Sequence, residues 1–235
     1  MRRIKRISIL FTTVAMMASC TTISYVPKVS LDVSPKTVNK VVQVEKFIDS
    51  SPIKDKKTPF LGLSVTNAEA LPNGLDIEVT NAIVSDFSIN GVFKQISRKV
   101  ENPDYIIKGE IKKFSGKSVL NNFAKITMIT SLTAVIVAPI LNEPLIELGA
   151  TPILTWYFGL PVSKNTADVE IVMSLYDKNN NLINTYYGKA NDKISTSMYK
   201  NKMLAVPSLT NKTFSTAIMQ IREQILNDII KLNKD

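Results

Sequence analysis

An uncharged stretch in the middle of the chain limits the folds that this sequence can adopt. Residues 126–141, ITMITSLTAVIVAPIL, form a run of 16 residues without a charge, and a second apolar run covers residues 148–162. Each run is shorter than the roughly 20 residues that a membrane-spanning helix needs, and the second is interrupted by two prolines. The sequence therefore predicts an apolar helical hairpin inserted into a folded domain, and not two membrane spans.

This insertion, residues 125–163, has three interpretations that the sequence leaves open. It can complete the core of the domain, it can dip into a bilayer, or it can form a surface for a protein partner or for self-association. The pair Trp156 and Tyr157 suits the headgroup level of a membrane, where amphipathic rings are enriched. The candidate membrane or partner contacts are Ile126, Ile129, Leu132, Val135, Ile136, Trp156, Tyr157 and Phe158.

Composition restricts the chemistry more than it restricts the fold. The chain has 235 residues, 45% of them hydrophobic, which is enough for one domain with a sizeable core. It has no histidine and a single cysteine, so the commonest general base and any internal disulfide are excluded. We predict no catalytic residue, no metal site and no enzymatic activity. The basic residues outside the first six positions are scattered, which predicts a solvated surface and no nucleic-acid partner.

The first twenty residues have the parts of an export signal. The start, MRRIKR, is basic, the segment from Ile7 to Met17 is apolar, and two small residues precede Cys20. This order is typical of a secretory signal peptide, and the apolar segment is too short to span a bilayer permanently. The prediction is export across a membrane with removal of residues 1–19.

The segment Met17-Ala18-Ser19-Cys20 resembles the lipobox of bacterial lipoprotein precursors, with methionine where leucine is favoured. The resemblance implies a diacylglycerol on the thiol of Cys20, cleavage between Ser19 and Cys20, and acylation of the new amino group. No other cofactor is expected. Each buried methylene contributes about 0.8 kcal/mol, so two or three acyl chains hold a protein firmly on a membrane.

The residue after Cys20 is Thr21 and not aspartate. In bacteria with two membranes, the family pattern then favours the outer membrane, with the domain facing the periplasm. In a bacterium with one membrane, the same anchor would leave the domain on the outer face of the plasma membrane.

The rest of the sequence predicts an α+β domain. Residues 20–39, rich in Ser, Thr and Pro, are expected to be a lipidated tether, and residues 40–235 a single domain that carries the insertion. Strands are predicted within residues 40–49, 60–65, 92–97 and 102–116 and in a hairpin around residues 178–181. Alternation puts Tyr105, Ile107, Gly109 and Ile111 on one face of a strand, and Val169, Ile171, Met173 and Leu175 on one face of the hairpin. The apolar spacing of Leu75, Val79, Ile83 and Phe87 predicts one helix. A second helix is expected to begin near Ser208 or Thr210, with an apolar stripe at Phe214, Ile218, Ile221, Ile225, Ile229 and Leu232.

This order of elements favours an antiparallel or mixed sheet with two helices packed on one face. The segments SDFSINGVFKQI and NPDYIIKGEIKKF look like the periplasmic α/β domains of accessory lipoproteins in secretion and envelope assembly, such as the curli-secretion pore lipoprotein. The resemblance implies a fold and no mechanism. The carboxylates, Asp86 among them, are expected at solvated positions.

These observations favour a lipid-anchored cell-envelope lipoprotein that acts by binding, as an accessory subunit of an assembly, transport or secretion system. Its expected partners are membrane lipid and either an envelope protein or further copies of itself. The alternative is a membrane-inserting homo-oligomer that forms a pore or collar, and an envelope enzyme is a more distant alternative.

Overall fold

The structure is a computed structural model that describes residues 23–60, 62–141 and 155–228, and of residue 132 and residues 134–141 it describes the backbone alone. Cys20 and Ser19 lie outside the described residues. The helices are α1 (Leu75–Ile89), α2 (Asn122–Leu141) and α3 (Lys202–Asn227). Two short 3-10 helices cover Ile53–Lys56 and Thr155–Phe158.

Seven strands form one mixed sheet, so the predicted α+β class is confirmed. The strands are β1 (Val38–Val44), β2 (Ile48–Asp49), β3 (Leu63–Ser64), β4 (Phe93–Ser97), β5 (Tyr105–Leu120), β6 (Pro161–Asp177) and β7 (Leu182–Ser197). The main order is β4-β1-β5-β6-β7, and β2 and β3 pair with β5. β1 is parallel to both of its neighbours, whereas β5, β6 and β7 are antiparallel to one another.

Period-two alternation produces the long strands, because successive side chains of a strand point to opposite faces. On β5 the buried positions include Tyr105, Ile107 and Ile111, as predicted. On β6 the predicted face is also buried, through Val169, Ile171, Met173 and Leu175. The predicted apolar face of α1 is buried as well, through Leu75, Val79, Ile83 and Phe87.

The start of α3 differs from the prediction. The helix begins at Lys202, and the Asn201 side chain caps it by accepting a hydrogen bond of 2.9 Å from the Met203 amide. We predicted a start near Ser208 or Thr210. Pro207 lies inside the observed helix, where it removes one backbone hydrogen bond. Here the cap and the burial of Val206 outweigh the hydrogen bond that proline removes. Phe214, Ile218, Ile221 and Ile225 are buried as predicted, and Ile229 and Leu232 lie outside the described residues.

The predicted tether is too long, because the segment of residues 23–34, here called the strap, packs on the domain. Ile23, Tyr25 and Val29 are buried and belong to the main core cluster. The Tyr25 hydroxyl donates to Asn211 Oδ1 at 2.6 Å, and the Lys28 amide donates to the same oxygen at 3.0 Å. Burial raises the pKa of Tyr25 well above its usual value. The strap is therefore a part of the folded domain.

The strap also joins α3 to α1. The Ser30 amide donates to Ser215 Oγ on α3, whereas the Leu31 amide donates to Asp86 Oδ1 on α1. Further along, Arg222 on α3 donates to the carbonyl oxygen of Asp32. The strap thus runs along α3 in the same direction as the helix, with hydrogen bonds to both helices.

Asp86 is buried, so its predicted solvated position is wrong. Its Oδ1 accepts hydrogen bonds from the Leu31 amide and from Asn90, but its Oδ2 has no hydrogen-bond partner among the described residues. Burial raises the pKa of Asp86, while those hydrogen bonds and the charge of Arg222 partly offset this rise. The strap covers Asp86, and the spacing of residues along α1 gives no sign of this cover, so the sequence analysis placed Asp86 in solvent.

The raised pKa predicts that Asp86 costs stability as the pH increases. The folded state holds the proton at a pH where the unfolded chain has lost it. The destabilisation by Asp86 is therefore absent below the ordinary aspartate pKa of about 3.9, grows as the pH rises above it, and is complete above the pKa of Asp86 in the folded state. We expect the variant Asp86→Asn to gain stability relative to the wild type between acidic and neutral pH. Urea denaturation at each pH measures the difference, and Glu101→Gln, at an exposed side chain, is the control. A difference that does not change with pH would contradict the expectation.

Candidate interaction surface

The uncharged segment begins where β5 ends, and its first residues are attached to β6. Leu120 pairs with Ser163 across the two strands. Asn121 then caps α2, because its Oδ1 accepts a hydrogen bond of 2.8 Å from the Ala124 amide. The Asn121 side chain also donates to the carbonyl oxygen of Pro161. The start of α2 is therefore fixed at one end of the sheet.

The first half of α2 buries small and hydroxyl-bearing residues and exposes large apolar ones. Ala124, Thr127 and Ser131 are buried on one side. Ile126 is 64% exposed and Ile129 is 60% exposed on the other. A helix that packs on a protein core normally shows the opposite arrangement. The interpretation in which the insertion completes the core is therefore wrong for these two isoleucines.

The 3-10 helix at residues 155–158 packs against α2 and extends the exposed surface. The Trp156 indole donates a hydrogen bond of 2.8 Å to Thr127 Oγ1 on the buried side of α2. Tyr157 is exposed and Phe158 is 82% exposed. The Tyr199 hydroxyl donates to the carbonyl oxygen of Tyr157 at 2.5 Å, which joins the end of β7 to this helix. Three separate segments of the chain thus meet at one end of the sheet.

We call the exposed apolar residues of these segments the apolar end. The structure brings together four of the eight predicted contacts here, namely Ile126, Ile129, Tyr157 and Phe158, while Trp156 is half-buried beside them. Leu132, Val135 and Ile136 lie on α2, and their side chains are outside the described part. Among the described residues, the exposed members are Phe123, Ile126, Ile129, Tyr157, Phe158, Leu160, Met198, Tyr199, Met203 and Leu204.

Six of the ten members of this surface escaped the sequence prediction. Four of the six, Met198, Tyr199, Met203 and Leu204, lie just after β7 and at the start of α3. The signal was present, because four large apolar residues within seven positions are unusual for a solvated loop. The pairing of Pro161 with Ser197 and the hydrogen bond from Tyr199 to Tyr157 show that this segment adjoins the insertion.

In the described segments at the apolar end, the charged residues are all basic, while Glu143 and Glu147 of the insertion lie outside the described residues. In residues 118–131, 155–167 and 193–208 there are five lysines and no aspartate or glutamate. The lysines are Lys125, Lys164, Lys193, Lys200 and Lys202. Burial lowers the pKa of Lys202, whereas Lys125 and Lys200 are exposed. The surface therefore combines apolar side chains with a positive rim.

The inner side of the same end is polar. Ser163 and Thr196 are buried and their hydroxyl oxygens lie 2.8 Å apart, and Asn165 donates to Thr196 at 3.3 Å. Among the described residues, the side-chain oxygens of Ser118, Ser131 and Asn165 are each buried with an unused hydrogen-bonding site. Buried polar groups are costly when unpaired, so this end contributes little of the apolar core of the domain.

In the described part of the chain, no helix has both the length and the apolar character needed to cross a membrane.

Comparisons with known proteins give weak similarities. The sequence matches no protein-family profile and no curated protein. A DUF330-family protein from Xanthomonas campestris aligns over 89% of this chain and 96% of its own, with 10% identity and a TM-score of 0.43. A neuraminyllactose-binding hemagglutinin homolog from Helicobacter pylori aligns over 91% and 99%, with 9% identity and a TM-score of 0.41.

A PelC dodecamer from Paraburkholderia phytofirmans also aligns, over 82% of this chain and 95% of that chain, with 10% identity and a TM-score of 0.30. With identities and TM-scores this low, these similarities establish neither a shared fold nor a shared function.

Proposed function

We propose that the chain is the precursor of a lipid-anchored cell-envelope protein that acts by binding, as an accessory subunit of an assembly, transport or secretion system. The anchor is the acylated Cys20 of the lipobox, and the preferred location is the outer membrane, facing the periplasm. The binding role is proposed without catalysis, since the chain has no histidine to serve as a general base.

The observation that carries the proposal is the direction of the strap. Its hydrogen bonds to α3 advance from Asn211 at Tyr25 to Ser215 at Ser30. Followed backward toward Cys20, the strap therefore leads to the beginning of α3, where Met203 and Leu204 are exposed.

The distances agree with this direction. Helix geometry puts Asn211 about 12 Å along the axis from Met203, at about 1.5 Å per residue. The chain from Tyr25 to Cys20 can span at most about 17 Å. An acyl group on Cys20 is thus within reach of the apolar end, so one membrane can meet both.

Substitution of Cys20 by serine tests the anchor. We expect the variant to lose the lipid-dependent increase in mass, to remain unprocessed after Ser19, and to yield no acylated N-terminus by mass spectrometry of the purified protein. Thr21→Ser is the matched control, because it changes the neighbouring residue and keeps the thiol. A wild-type protein whose mature N-terminus carries no lipid would overturn the proposal.

The accessory role is tested in intact cells by crosslinking followed by identification of the captured proteins. We expect a reproducible envelope protein in the wild-type sample that is reduced in the Cys20→Ser sample, because the unanchored chain is no longer held beside it. Recovery of crosslinks only between copies of this chain would instead favour the homo-oligomer.

A further inference from the structure

We propose that the apolar end is a docking surface for an anionic lipid bilayer, which it enters to the depth of the headgroups beside the acyl anchor. This inference rests on the proposed function, because the anchor is what brings the domain to a membrane, but it concerns a second contact that the folded domain makes by itself. The same residues could also meet a protein partner. Three observations favour lipid.

The first observation is the inverted polarity of α2. Its buried side carries Ala124, Thr127 and Ser131, and its exposed side carries Ile126 and Ile129. The hydroxyls of Thr130 and Thr133 donate to the carbonyl oxygens of Ile126 and Ile129, at 2.9 Å each, so they need no water. This exposed side therefore loses little when it leaves water for the boundary between headgroups and acyl chains.

The second observation is charge. Five lysines and no carboxylate lie in the described segments at the apolar end, residues 118–131, 155–167 and 193–208, although the whole chain has 20 acidic residues. Glu143 and Glu147 of the insertion lie outside the described residues. Lysines beside a membrane are attracted to anionic headgroups and extend their charged ends into the interface. An apolar surface with a basic rim is typical of segments that bind the membrane interface. A protein–protein interface also has a polar rim, but the charges of that rim need not all be positive.

The third observation is the aromatic composition together with the strap. Trp156, Tyr157 and Tyr199 lie at this end and are linked through Thr127 and the Tyr157 carbonyl. Indole and phenol rings are enriched at the membrane–water interface. The strap runs along α3 away from this end, so its first residues lie on the side of the apolar end. An acyl group on Cys20, three residues before the strap, is within reach of the same bilayer with a single orientation of the domain.

That orientation places the β6–β7 turn far from the membrane. β6 has 17 residues, which corresponds to roughly 55 Å at about 3.3 Å per residue. The turn at residues 178–181 lies at the opposite end of this strand from Pro161 and the apolar end. The long hairpin therefore projects from the bilayer.

Vesicle binding by the unlipidated protein tests the inference. The protein to use is the mature chain, residues 20–235 with Cys20→Ser, which retains every described residue. Trp156 is the only tryptophan, so it reports on this surface alone. With vesicles of phosphatidylethanolamine and phosphatidylglycerol we expect a blue shift of its emission and quenching by lipids brominated near the headgroup. We expect weak binding to phosphatidylcholine alone and a loss of binding as salt is raised.

Two pairs of variants separate the apolar and the charged contributions. Ile126→Ser with Ile129→Ser is expected to weaken partitioning about tenfold or more, because two exposed isoleucines no longer leave water. The matched control, Ile89→Ser with Leu182→Ser, changes exposed apolar residues away from the apolar end and should leave partitioning unchanged.

For the charges, Lys125→Glu with Lys200→Glu is expected to weaken binding to the anionic vesicles about tenfold or more. Its control, Lys99→Glu with Lys178→Glu, makes the same change in net charge elsewhere. All eight side chains are exposed, so thermal unfolding should be the same in every variant and verifies that each one is folded.

The inference is overturned if the unlipidated chain does not bind the anionic vesicles, or if the test and control variants bind alike. It is also overturned if the chain sediments as an oligomer without lipid and Ile126→Ser with Ile129→Ser makes it monomeric, since the surface would then join copies of the chain.

The failure of the proposed function can be distinguished from the failure of this inference. If the wild-type protein is anchored but its unlipidated form does not bind vesicles, only the docking surface is refuted. If the N-terminus of the wild-type protein carries no lipid, only the anchor is refuted.

Discussion

Replacement of Gly188 by alanine should lower the free energy of unfolding by about 3 kcal/mol, at the upper end of the usual cost of overpacking. A Cβ atom at this position of β7 would overlap with the carbonyl oxygen of Ala217, and it would approach Ile221 Cδ1 at 3.0 Å. The obstacle on α3 is backbone, so the helix itself would have to shift. Urea denaturation of the purified domain measures the effect.

A shift of α3 would cost further stability, because its side chains also form hydrogen bonds with backbone groups of β7 at the edge of the sheet. Gln224 accepts from the Tyr187 amide at 3.1 Å and donates to the carbonyl oxygen of Tyr187 at 2.6 Å. Gln220 accepts from the Lys189 amide at 2.9 Å. These bonds occupy backbone groups of an edge strand that would otherwise be available to another strand.

Gly159→Ala is the matched control for this experiment. Gly159 has a φ of +76° but no atom within 4 Å of an added Cβ, so alanine there meets only the backbone penalty, about 1 kcal/mol. If Gly188→Ala is no more destabilising than Gly159→Ala, β7 and α3 do not pack as closely as described.

Truncation of Tyr25 to alanine is the second change with a large expected effect, a loss of about 4 kcal/mol. The ring is buried in the core cluster, and its hydroxyl donates to Asn211. A tether residue would give almost no change, so this substitution separates a structural strap from a flexible linker. Thermal and urea unfolding both report the difference.

Two milder variants show which part of Tyr25 matters. Tyr25→Phe keeps the ring and removes one hydrogen bond, so we expect a loss of about 1 kcal/mol. Val26→Ala alters the next residue, whose side chain is exposed, and should stay within about 0.5 kcal/mol of the wild type. Equal stability of the alanine variants at positions 25 and 26 would show that the strap does not contribute to the fold.

The sequence predicted those elements whose apolar pattern is local. The alternation in β5 and β6 and the spacing of Leu75, Val79 and Ile83 each report burial directly, because one face of the element meets the core along its whole length. The mixed α+β class follows from the order of these elements. The pairing of β1 with β4 and β5 is between distant segments, which no local pattern encodes.

The strap and the start of α3 were both predicted wrongly. Ser, Thr and Pro suggested a tether, yet Ile23, Tyr25 and Val29 fall on alternate positions, as in a strand. Ser208 or Thr210 was expected to begin α3, yet the capping residue is Asn201. The compensating contacts come from other parts of the chain, so they are visible only in three dimensions.

For the candidate surface, the sequence identified the uncharged segment but not its environment. Apolar residues in a chain with a sizeable core are normally buried, and nothing in the run from Ile126 to Leu141 distinguishes a core helix from an exposed one. The distinction depends on which side of α2 meets the sheet, and that side carries Ala124, Thr127 and Ser131. The contribution of Met203 and Leu204 required the end of β7 to be placed beside the insertion.

The strap has a consequence for the order of events during biogenesis. It is held by α3, the last helix among the described residues, across a separation of 186 residues between Tyr25 and Asn211. Contacts this distant in sequence form late, because the loop between them must close first. If the chain is exported as proposed, the groove for its leading segment does not exist while the chain crosses the membrane. Closure of the domain would then wait until nearly all of the polypeptide has crossed.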